Sequence, residues 1–464
     1  MTDFATQVPA ELNDVFAHID ANQQVFIERL MDYVRRPSIS AYGEGIADVA
    51  EYIAEVMHRI GLTVQIMPTE GWPMVVGRRE ELSDAPTVLL YGHYDVQPPD
   101  PLDAWISPPF EPMVRDGRVY GRGVGDNKGQ HLAQILALES LLACHSKLPC
   151  NVIVLLEGEE EIGSPHIAHF VQQHRDLFNA DLVIIADGPV DTSGRSPIVF
   201  GARGIVSFDL RVHGANRDLH SGNWGGVAPN PIWTLVHLLS TMKNAQGEIT
   251  IDGFYDNVLP LTDLEQAALC DLPVDVDAVK ADLGLIHLDP PRDRSFAERL
   301  SAWPTLTING FHGGYGGPGS KTVLPHEAIV KCDIRLVESQ TMEEIFTKLK
   351  IHVQQYAPDV EVIWQGGMDP SKTPLDSPFT QPLYAAMVAA QAEPPLLVPA
   401  LGGSLPNYVF TRYLGIPAFV IPYANADEAN HAPNENLELD RFIKGIKTGA
   451  ALLTYLGQMP RDDA

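Results

Sequence analysis

Four short apolar runs constrain the fold of this chain more than any other feature of its sequence. They are residues 88–91, 152–156, 182–186 and 418–421. Runs of this length that are apolar on both faces are typical of central strands in a sheet covered by helices. Helical spacing of apolar residues covers residues 12–34, 46–60, 131–142, 383–391, 409–414 and 440–456. The sequence therefore predicts an α/β fold.

The pattern changes after Gly201. Residues 205–212 and 323–336 alternate between apolar and polar side chains, as half-buried strands do, and residues 342–356 have helical spacing. A second domain is expected because 464 residues exceed the length over which one hydrophobic core usually grows. We therefore predict an α+β domain at residues 204–369, inserted between two parts of the α/β domain, residues 1–203 and 370–464.

The charge and composition of the chain limit the classes of partner and the cellular location that we expect. The 60 acidic and 32 basic residues give a net charge of −28, which repels phosphate backbones and anionic lipids. We expect no nucleic-acid partner. We also expect no membrane partner, because no run approaches the roughly 18 consecutive apolar residues of a spanning helix. The four cysteines lack CxxC spacing and the N-terminus lacks a secretory pattern, so we expect a cytoplasmic protein.

Polar side chains follow each of the four predicted strands. His93 comes directly after the first strand, and Glu161 lies a few residues beyond the second. Asp187 directly follows the third strand, and His431 lies in the loop after the fourth. Open α/β sheets bind ligands beyond the carboxyl ends of their strands, where the loops converge. We therefore expect these side chains in one region.

These residue types suit a divalent metal site. Imidazole and carboxylate groups bind borderline metals such as zinc, and a two-metal site also needs a carboxylate that can bridge. Asp126 is the best bridging residue because it lies in a glycine-rich turn, residues 123–129, just before a predicted helix. Asp95 is two residues from His93, so in an extended chain both share a face and Asp95 can orient the imidazole.

Each of these features alone has a more ordinary interpretation. A single histidine near a strand end is more often a polar surface residue than a ligand. The acidic run at residues 159–161 is more often a solvated helix start, and residues 121–129 could form a simple loop. The metal-site interpretation depends on the coincidence of all these features at strand ends.

Four segments of the sequence also carry a family resemblance. They are YGHYDVQP at residues 91–98, GRGVGDNKG at 121–129, EGEEEIGS at 157–164 and NHAPNE at 430–435. In the same order they resemble the signature segments of the di-zinc aminoacylase/carnosinase metallopeptidase family, with cytosolic non-specific dipeptidases as the nearest branch. The resemblance implies a mixed-sheet, di-zinc exopeptidase-like catalytic domain with an inserted α+β lid and dimerisation domain.

The resemblance implies a role for each residue of the predicted metal site. One metal ion takes His93 and Asp187, the other takes Glu161 and His431, and Asp126 bridges them. Two zinc ions are expected, with manganese or cobalt as alternatives that the ligand set admits.

The resemblance also implies roles for residues beside the ligands. Glu160 matches the general base of the family, and Asp95 matches the residue that contacts the metal-binding histidine. The peptide bond between Asp126 and Asn127 is expected in the cis form.

Substrate binding and assembly follow from the same resemblance. His220 matches a lid-domain histidine that reaches the active site of the other subunit of a dimer. Thr322, Arg335 and Ser404 match residues that bind the terminal carboxylate of the substrate. We therefore expect a homodimer formed through the inserted domain.

The implied activity is metal-dependent hydrolysis of the amide bond of dipeptides or similar short substrates with a free C-terminal carboxylate. A deacylase of N-acyl amino acids or a carbamoyl amidohydrolase of the same family is the alternative. Gly188, Pro189 and Ile162 depart from the pattern expected of the dipeptidases. The side chains accepted in the substrate are therefore not predicted.

Two interpretations from other functional classes have less support. Residues 314–322 resemble a phosphate-binding loop, but Ser320 separates Gly319 from Lys321 and a strand pattern follows. The second is that the chain is a relative that has lost catalytic activity. The presence of all five predicted ligands and of the general base argues against this interpretation.

Overall fold

The computed structural model of the chain describes residues 8–290 and 293–459. The described residues form two compact units. Unit 1 contains the residues up to Phe200, Thr373–Val398 and those from Val409 onward, and unit 2 contains Gly201–Lys372 and Pro399–Tyr408. The predicted boundaries after residues 203 and 369 fall close to those of the units. Residues 399–408, which the sequence placed in the α/β domain, group with unit 2.

The α-helices of the described residues are, in chain order, α1 Ala10–Ala21, α2 Gln23–Val34, α3 Ile46–Arg59, α4 Gln130–Cys144, α5 Ile167–Gln173, α6 Ser221–Trp224, α7 Pro231–Met242, α8 Asp263–Cys270, α9 Val276–Asp282, α10 Phe296–Ser301, α11 Met342–Tyr356, α12 Thr380–Gln391 and α13 Leu439–Gly457. The strands are β1 Thr63–Met67, β2 Met74–Arg79, β3 Thr87–His93, β4 Met113–Arg115, β5 Arg118–Tyr120, β6 Asn151–Glu157, β7 Leu182–Ile185, β8 Pro197–Val199, β9 Gly201–Ala202, β10 Gly204–His213, β11 Leu219–His220, β12 Thr305–Gly313, β13 Val323–Leu324, β14 Glu327–Leu336, β15 Glu361–Met368, β16 Ser371–Lys372, β17 Leu396–Val398, β18 Ala418–Val420 and β19 Asn436–Glu438.

Unit 1 is built on an eight-stranded sheet with the order β1-β2-β6-β3-β7-β18-β8-β17. β3 pairs in parallel with β6 on one side and with β7 on the other, and β18 runs parallel to β7. β1 and β2 are antiparallel strands at one edge. Every residue of β3, β6 and β7 is buried, which explains why their sequences are apolar without alternation. The predicted α/β fold with a mixed sheet is confirmed.

Helix α4 lies in the interior of unit 1. It contacts β3 and also packs against α1 and α13. Its residues from Gln130 to Leu138 are all buried, so its polar side chains need partners within the protein. Gln130 donates to the carbonyl of Gly125 and accepts the N–H of Tyr423. The first turn of α4 is thereby fixed beside the turn that holds Asp126.

Two predicted elements differ from the structure. The helical spacing of residues 12–34 carried no sign of a break, but α1 ends and α2 begins around Asn22. The side-chain amide of Asn22 donates to the carbonyl of His18, and this local bond competes with continuation of the helix. The predicted strand at residues 323–336 is divided into β13 and β14, because Pro325 has no N–H to donate to a sheet.

Unit 2 contains a four-stranded antiparallel sheet with the order β12-β14-β10-β15. β10 and β14 pair along their full length, from Gly204 opposite Leu336 to His213 opposite Glu327. Alternate residues of these strands are buried in a core that α7 and α11 complete. This is the period-two pattern expected of half-buried strands. The lid and dimerisation roles of unit 2 remain predictions.

No helix within the described residues has the length and apolar character needed to cross a bilayer. All four cysteines are free thiols, and Cys150 and Cys332 are buried. Burial raises the pKa of the Cys332 thiol to about 12, so this thiol stays protonated and unreactive at neutral pH.

Candidate metal centre

His93 is the last residue of β3, and its side chain is fully buried. The imidazole Nδ1 lies 3.1 Å from the backbone oxygen of Asp95 and 3.3 Å from its carboxylate. Acceptors on this side favour a proton on Nδ1. Nε2 is then the nitrogen available to bind a metal, and it faces Asp126 at 3.1 Å and Asp187 at 3.8 Å. Asp95 thus lies at the edge of the imidazole opposite these two carboxylates.

Asp126 lies in the turn Val124–Gly129, directly before α4, and its own backbone is not helical. Its carboxylate is divided between two histidines, with Oδ1 3.1 Å from Nε2 of His93 and Oδ2 3.1 Å from Nε2 of His431. The peptide bond between Asp126 and Asn127 is cis, the form that the family resemblance implies. A carboxylate that directs one oxygen to each of two imidazoles has the arrangement required of a bridging ligand.

The five predicted ligands meet in two groups of three. One group contains His93, Asp126 and Asp187, and the other contains Asp126, Glu161 and His431. Within each group the ligand atoms lie within 4.8 Å of one another. All three residues of the first group are buried, whereas the side chain of His431 is 55% exposed. The structure therefore holds two adjoining sets of ligands that share one carboxylate.

The turn after β6 carries Glu160 and Glu161. The backbone N–H of Glu160 donates to Oδ1 of Asp95 at 3.2 Å, and the N–H of Glu161 donates to Oδ2 at 3.1 Å. One carboxylate therefore fixes both residues. Glu161 reaches His431 at 3.2 Å, and its side chain is only 3% exposed. The alternative of a solvated helix start does not describe a side chain this deeply buried.

Several carboxyl groups share this small volume, and their pKa values reflect burial first and the proximity of like charges second. Burial, together with the charge of Asp126, raises the pKa of Glu161 to about 7 and that of Asp187 to about 6. Burial also raises the pKa of Glu160 well above its usual value, although His93 opposes the change. A cation among these groups would relieve the repulsion. Imidazole and carboxylate donors suit zinc, manganese or cobalt, so the residues present fit divalent metals.

A buried ion pair connects the two loops of the metal centre. Glu435 accepts the backbone N–H groups of Gly123, Gly125 and Asp126 at 2.9 to 3.1 Å. Arg122 lies 2.7 Å from the same carboxylate, and the two side chains are 1% and 0% exposed. Because Glu435 belongs to the loop that also carries the second histidine, this pair ties that loop to the turn of the shared carboxylate.

The four predicted substrate-binding residues lie in unit 2. Arg335 donates from Nη1 to Oγ of Ser404 at 2.8 Å, and its Nε lies 3.4 Å from Asp333. His220 belongs to β11, which pairs with β13 immediately after Thr322. The structure thus brings Arg335 to Ser404, and it places His220 opposite Val323, which follows Thr322 in the chain. Their contacts with a substrate remain predictions.

Sequence reasoning missed several polar residues that contact the ligands or their loops. Gln97, Asn127 and Glu435 lie inside the segments that carry the family resemblance. Their position could have suggested a role, but it could not have identified the residues that they contact. Glu428 lies outside these segments, so no feature of the sequence pointed to it. Its carboxyl group is buried, neither oxygen has a hydrogen-bond partner among the described residues, and burial raises its pKa to about 10.

The chain matches the sequence model of a known protein family. The sequence model described as peptidase family M20/M25/M40 matches residues 89–455, which is more than half of the chain. The chain belongs to this family. The predicted family resemblance and the prediction of a metallopeptidase are confirmed.

M20 relatives cover nearly the whole chain. The human Beta-Ala-His dipeptidase is 28% identical over 477 residues, covering 97% of this chain and 94% of the relative. The Cys-Gly metallodipeptidase DUG1 from Saccharomyces cerevisiae is 28% identical over 480 residues, covering 97% of this chain and 99% of the relative. Among solved structures, an M20 family metallo-carboxypeptidase from Sulfolobus solfataricus has a TM-score of 0.88 at 33% identity, covering 94% of this chain and 99% of the other.

The buried ion pair of Arg122 and Glu435 should contribute to the free energy of unfolding. Replacing Glu435 with Gln leaves a buried guanidinium without its counter-charge, so we expect a loss of about 3–5 kcal/mol in the free energy of unfolding. Urea unfolding of chelator-treated protein measures the loss without a contribution from bound metal. Glu438→Gln is the matched control, because Glu438 pairs with the more exposed Arg118 and should cost no more than about 1 kcal/mol. Equal losses in both variants would contradict the prediction.

Proposed function

We propose that this M20 chain is a metal-dependent dipeptidase. It hydrolyses the amide bond of dipeptides or similar short substrates that carry a free C-terminal carboxylate. The observation that carries the proposal is the carboxylate of Asp126 shared between His93 and His431, with Glu160 in the adjoining turn. The human and yeast relatives are named for the dipeptides Beta-Ala-His and Cys-Gly.

Two divalent ions per chain belong to this proposal, zinc in the first place and manganese or cobalt as alternatives. His93 and Asp187 would hold one ion, Glu161 and His431 would hold the other, and Asp126 would contact both. When bound, such ions polarise a substrate carbonyl and lower the pKa of water.

Glu160 is proposed as the general base. The hydrogen bond from its backbone N–H to Asp95 fixes its position. Burial raises the pKa of its carboxyl group, which makes the carboxylate a stronger proton acceptor. Glu160 takes a proton from the attacking water and delivers it to the nitrogen of the leaving amine.

Unit 2 supplies the proposed contacts with the substrate. Arg335 is held by Ser404 and Asp333, and the fork of N–H donors in a guanidinium matches a planar carboxylate. Arg335, Thr322 and Ser404 bind the terminal carboxylate of the substrate. His220 donates a hydrogen bond to the carbonyl oxygen as negative charge develops on it. The need for a terminal carboxylate restricts cleavage to the last peptide bond.

A homodimer formed through unit 2 completes the proposal. β12 lies at one edge of the sheet, so its outer backbone groups are open to pairing. At the start of α7, Ile232 lies beside Gly313 at the end of β12. Trp233 on the same helix is 60% exposed, and Val227 before the helix is 76% exposed. Exposed apolar side chains next to an open strand edge are typical of a contact between subunits.

A cytoplasmic location is also proposed. All four cysteines are free thiols, which fits a reducing compartment. Fractionation of cells that produce the native chain tests this location, and recovery of the chain outside the cytoplasm would contradict it.

The proposed dimer can be tested at α7. Trp233→Glu places a charge in the apolar contact, so the variant should have the mass of one chain in light scattering while the unchanged protein has twice that mass. Ile286→Glu is the control, since Ile286 is 83% exposed and lies elsewhere in unit 2. A dimeric Trp233→Glu protein would exclude α7 from the interface, and a monomeric unchanged protein would contradict the proposed dimer.

The role of Glu160 can be separated from metal binding. Glu160→Gln keeps the shape of the side chain but cannot accept a proton, so kcat should fall by about 10²- to 10⁴-fold. The metal content measured by mass spectrometry should not change. Glu159→Gln, in the same turn, should keep most of the turnover. Unchanged turnover in Glu160→Gln would exclude Glu160 as the base.

A substrate panel tests the proposed function itself. The panel contains a dipeptide, its C-terminal amide, a tripeptide and an N-acetyl amino acid. We expect the dipeptide to be hydrolysed fastest, and Arg335→Met to raise its KM by roughly 10- to 100-fold because charged hydrogen bonds are lost. The reaction of the amide should be slow in both proteins. Preference for the N-acetyl amino acid would instead support the deacylase alternative.

A carboxypeptidase acting on longer peptides is the second candidate, because the Sulfolobus relative is a metallo-carboxypeptidase. Release of the last residue of the tripeptide at a rate equal to that of the dipeptide would favour it.

A further inference from the structure

The side-chain amide of Asn127 connects the segments that carry the first group of ligands. Its Nδ2 donates to the carbonyl of Ala186 at 2.6 Å, and Ala186 directly precedes Asp187. Its Oδ1 accepts the backbone N–H of His93 at 3.3 Å. Because a carbonyl only accepts, the contact with Ala186 fixes which end of the amide is the nitrogen. One amide therefore holds the end of β3 and the end of β7 at the turn of Asp126.

Two further buried side chains fix the orientation of Asn127. Nδ1 of His131 lies 3.1 Å from Oδ1 of Asn127, and Nε2 of His131 lies 3.0 Å from the hydroxyl of Tyr33. Since Oδ1 of Asn127 only accepts, Nδ1 of His131 carries the proton and Nε2 accepts from Tyr33. His131 is in α4 and Tyr33 is in α2. The amide is thus anchored on two helices.

A different amide contacts the second group of ligands. Gln97 donates from its backbone N–H to Oε1 of Glu161 at 3.1 Å. Its side-chain Nε2 donates to the backbone oxygen and to Oε2 of Glu161, both at 3.0 Å. Gln97 therefore contacts both carboxylate oxygens of this ligand and its main chain.

We propose that Asn127 and Gln97 are positioning residues that each serve a different metal ion, Asn127 the ion of His93 and Asp187, and Gln97 the ion of Glu161 and His431. This inference rests on the proposed two-metal function. Asp126 belongs to both ligand groups, and Asp95 contacts residues of both, so changes at either aspartate affect both ions. The two amides differ because Asn127 contacts His93 and the residue before Asp187, whereas Gln97 contacts Glu161.

Metal binding by the purified full chain tests the inference without an activity assay. Zinc sulfate is titrated into chelator-stripped protein and followed by calorimetry in the presence of a competing chelator. Asn127→Ala should weaken one binding step by about 10- to 100-fold and leave the other unchanged, as is typical when a partner of a metal ligand is lost. Gln97→Ala should weaken the other step by a similar factor.

Two ligand variants identify the steps. His93→Ala should weaken the step that Asn127→Ala weakens, and His431→Ala should weaken the step that Gln97→Ala weakens. Tyr33→Phe gives a second variant of the Asn127 network, because it removes only the hydroxyl that reaches His131. It should weaken the same zinc-binding step as Asn127→Ala, but by a smaller factor. The inference can therefore still be tested if Asn127→Ala does not fold.

A matched control separates positioning from general packing. Asn151 is also a buried amide, and it holds the backbone of Glu81 and Leu82 in a loop away from the ligands. Asn151→Ala should lower the unfolding temperature without changing either zinc step. If Asn127→Ala and Gln97→Ala weaken the same step, or both steps equally, the inference is wrong. If the unchanged protein binds no zinc, the two-metal function fails instead.

Discussion

The carboxylate of Asp126, shared between the imidazoles of His93 and His431 at 3.1 Å each, is the contact on which the rest of the site depends. Burial opposes its ionisation, but the hydrogen bonds from both histidines outweigh burial and hold the pKa of Asp126 below its usual range. Burial, together with the charge of Asp126, in turn raises the pKa of Glu161 and Asp187. A fixed negative charge at the centre, surrounded by carboxyl groups that repel it, is an environment that a pair of cations stabilises.

The sheet of unit 1 explains how such an arrangement is held. β3, β6 and β7 are neighbouring parallel strands whose residues are all buried, so their carboxyl ends are rigid points from which ligands project. The remaining ligands come from loops, which need separate support. Glu435 supplies it by accepting three backbone N–H groups and pairing with Arg122. Sites held by rigid strands and satisfied buried polar groups keep the geometry that catalysis needs.

Much of this centre could be predicted from sequence, because apolar runs mark buried strands and the residues after them mark one edge of the sheet. The predicted strands at residues 88–91 and 152–156 lie inside β3 and β6. The contacts that hold the ligands could not be predicted in the same way. Glu435 accepts N–H groups from residues 309 to 312 positions earlier in the chain, and local patterns contain no information on such partners. The division around Asn22 was missed for a related reason, since a side chain that bonds to its own helix leaves the apolar spacing unchanged.

The most direct measurement of the two-metal centre is anomalous X-ray scattering from crystals of the zinc-loaded protein, recorded on both sides of the zinc absorption edge. Two anomalous peaks are predicted about 3.5–4 Å apart, one beside His93 and Asp187 and the other beside Glu161 and His431, with Asp126 between them. The absence of zinc from this position, or a single ion bound elsewhere on the chain, would contradict the assignment of these five side chains as ligands.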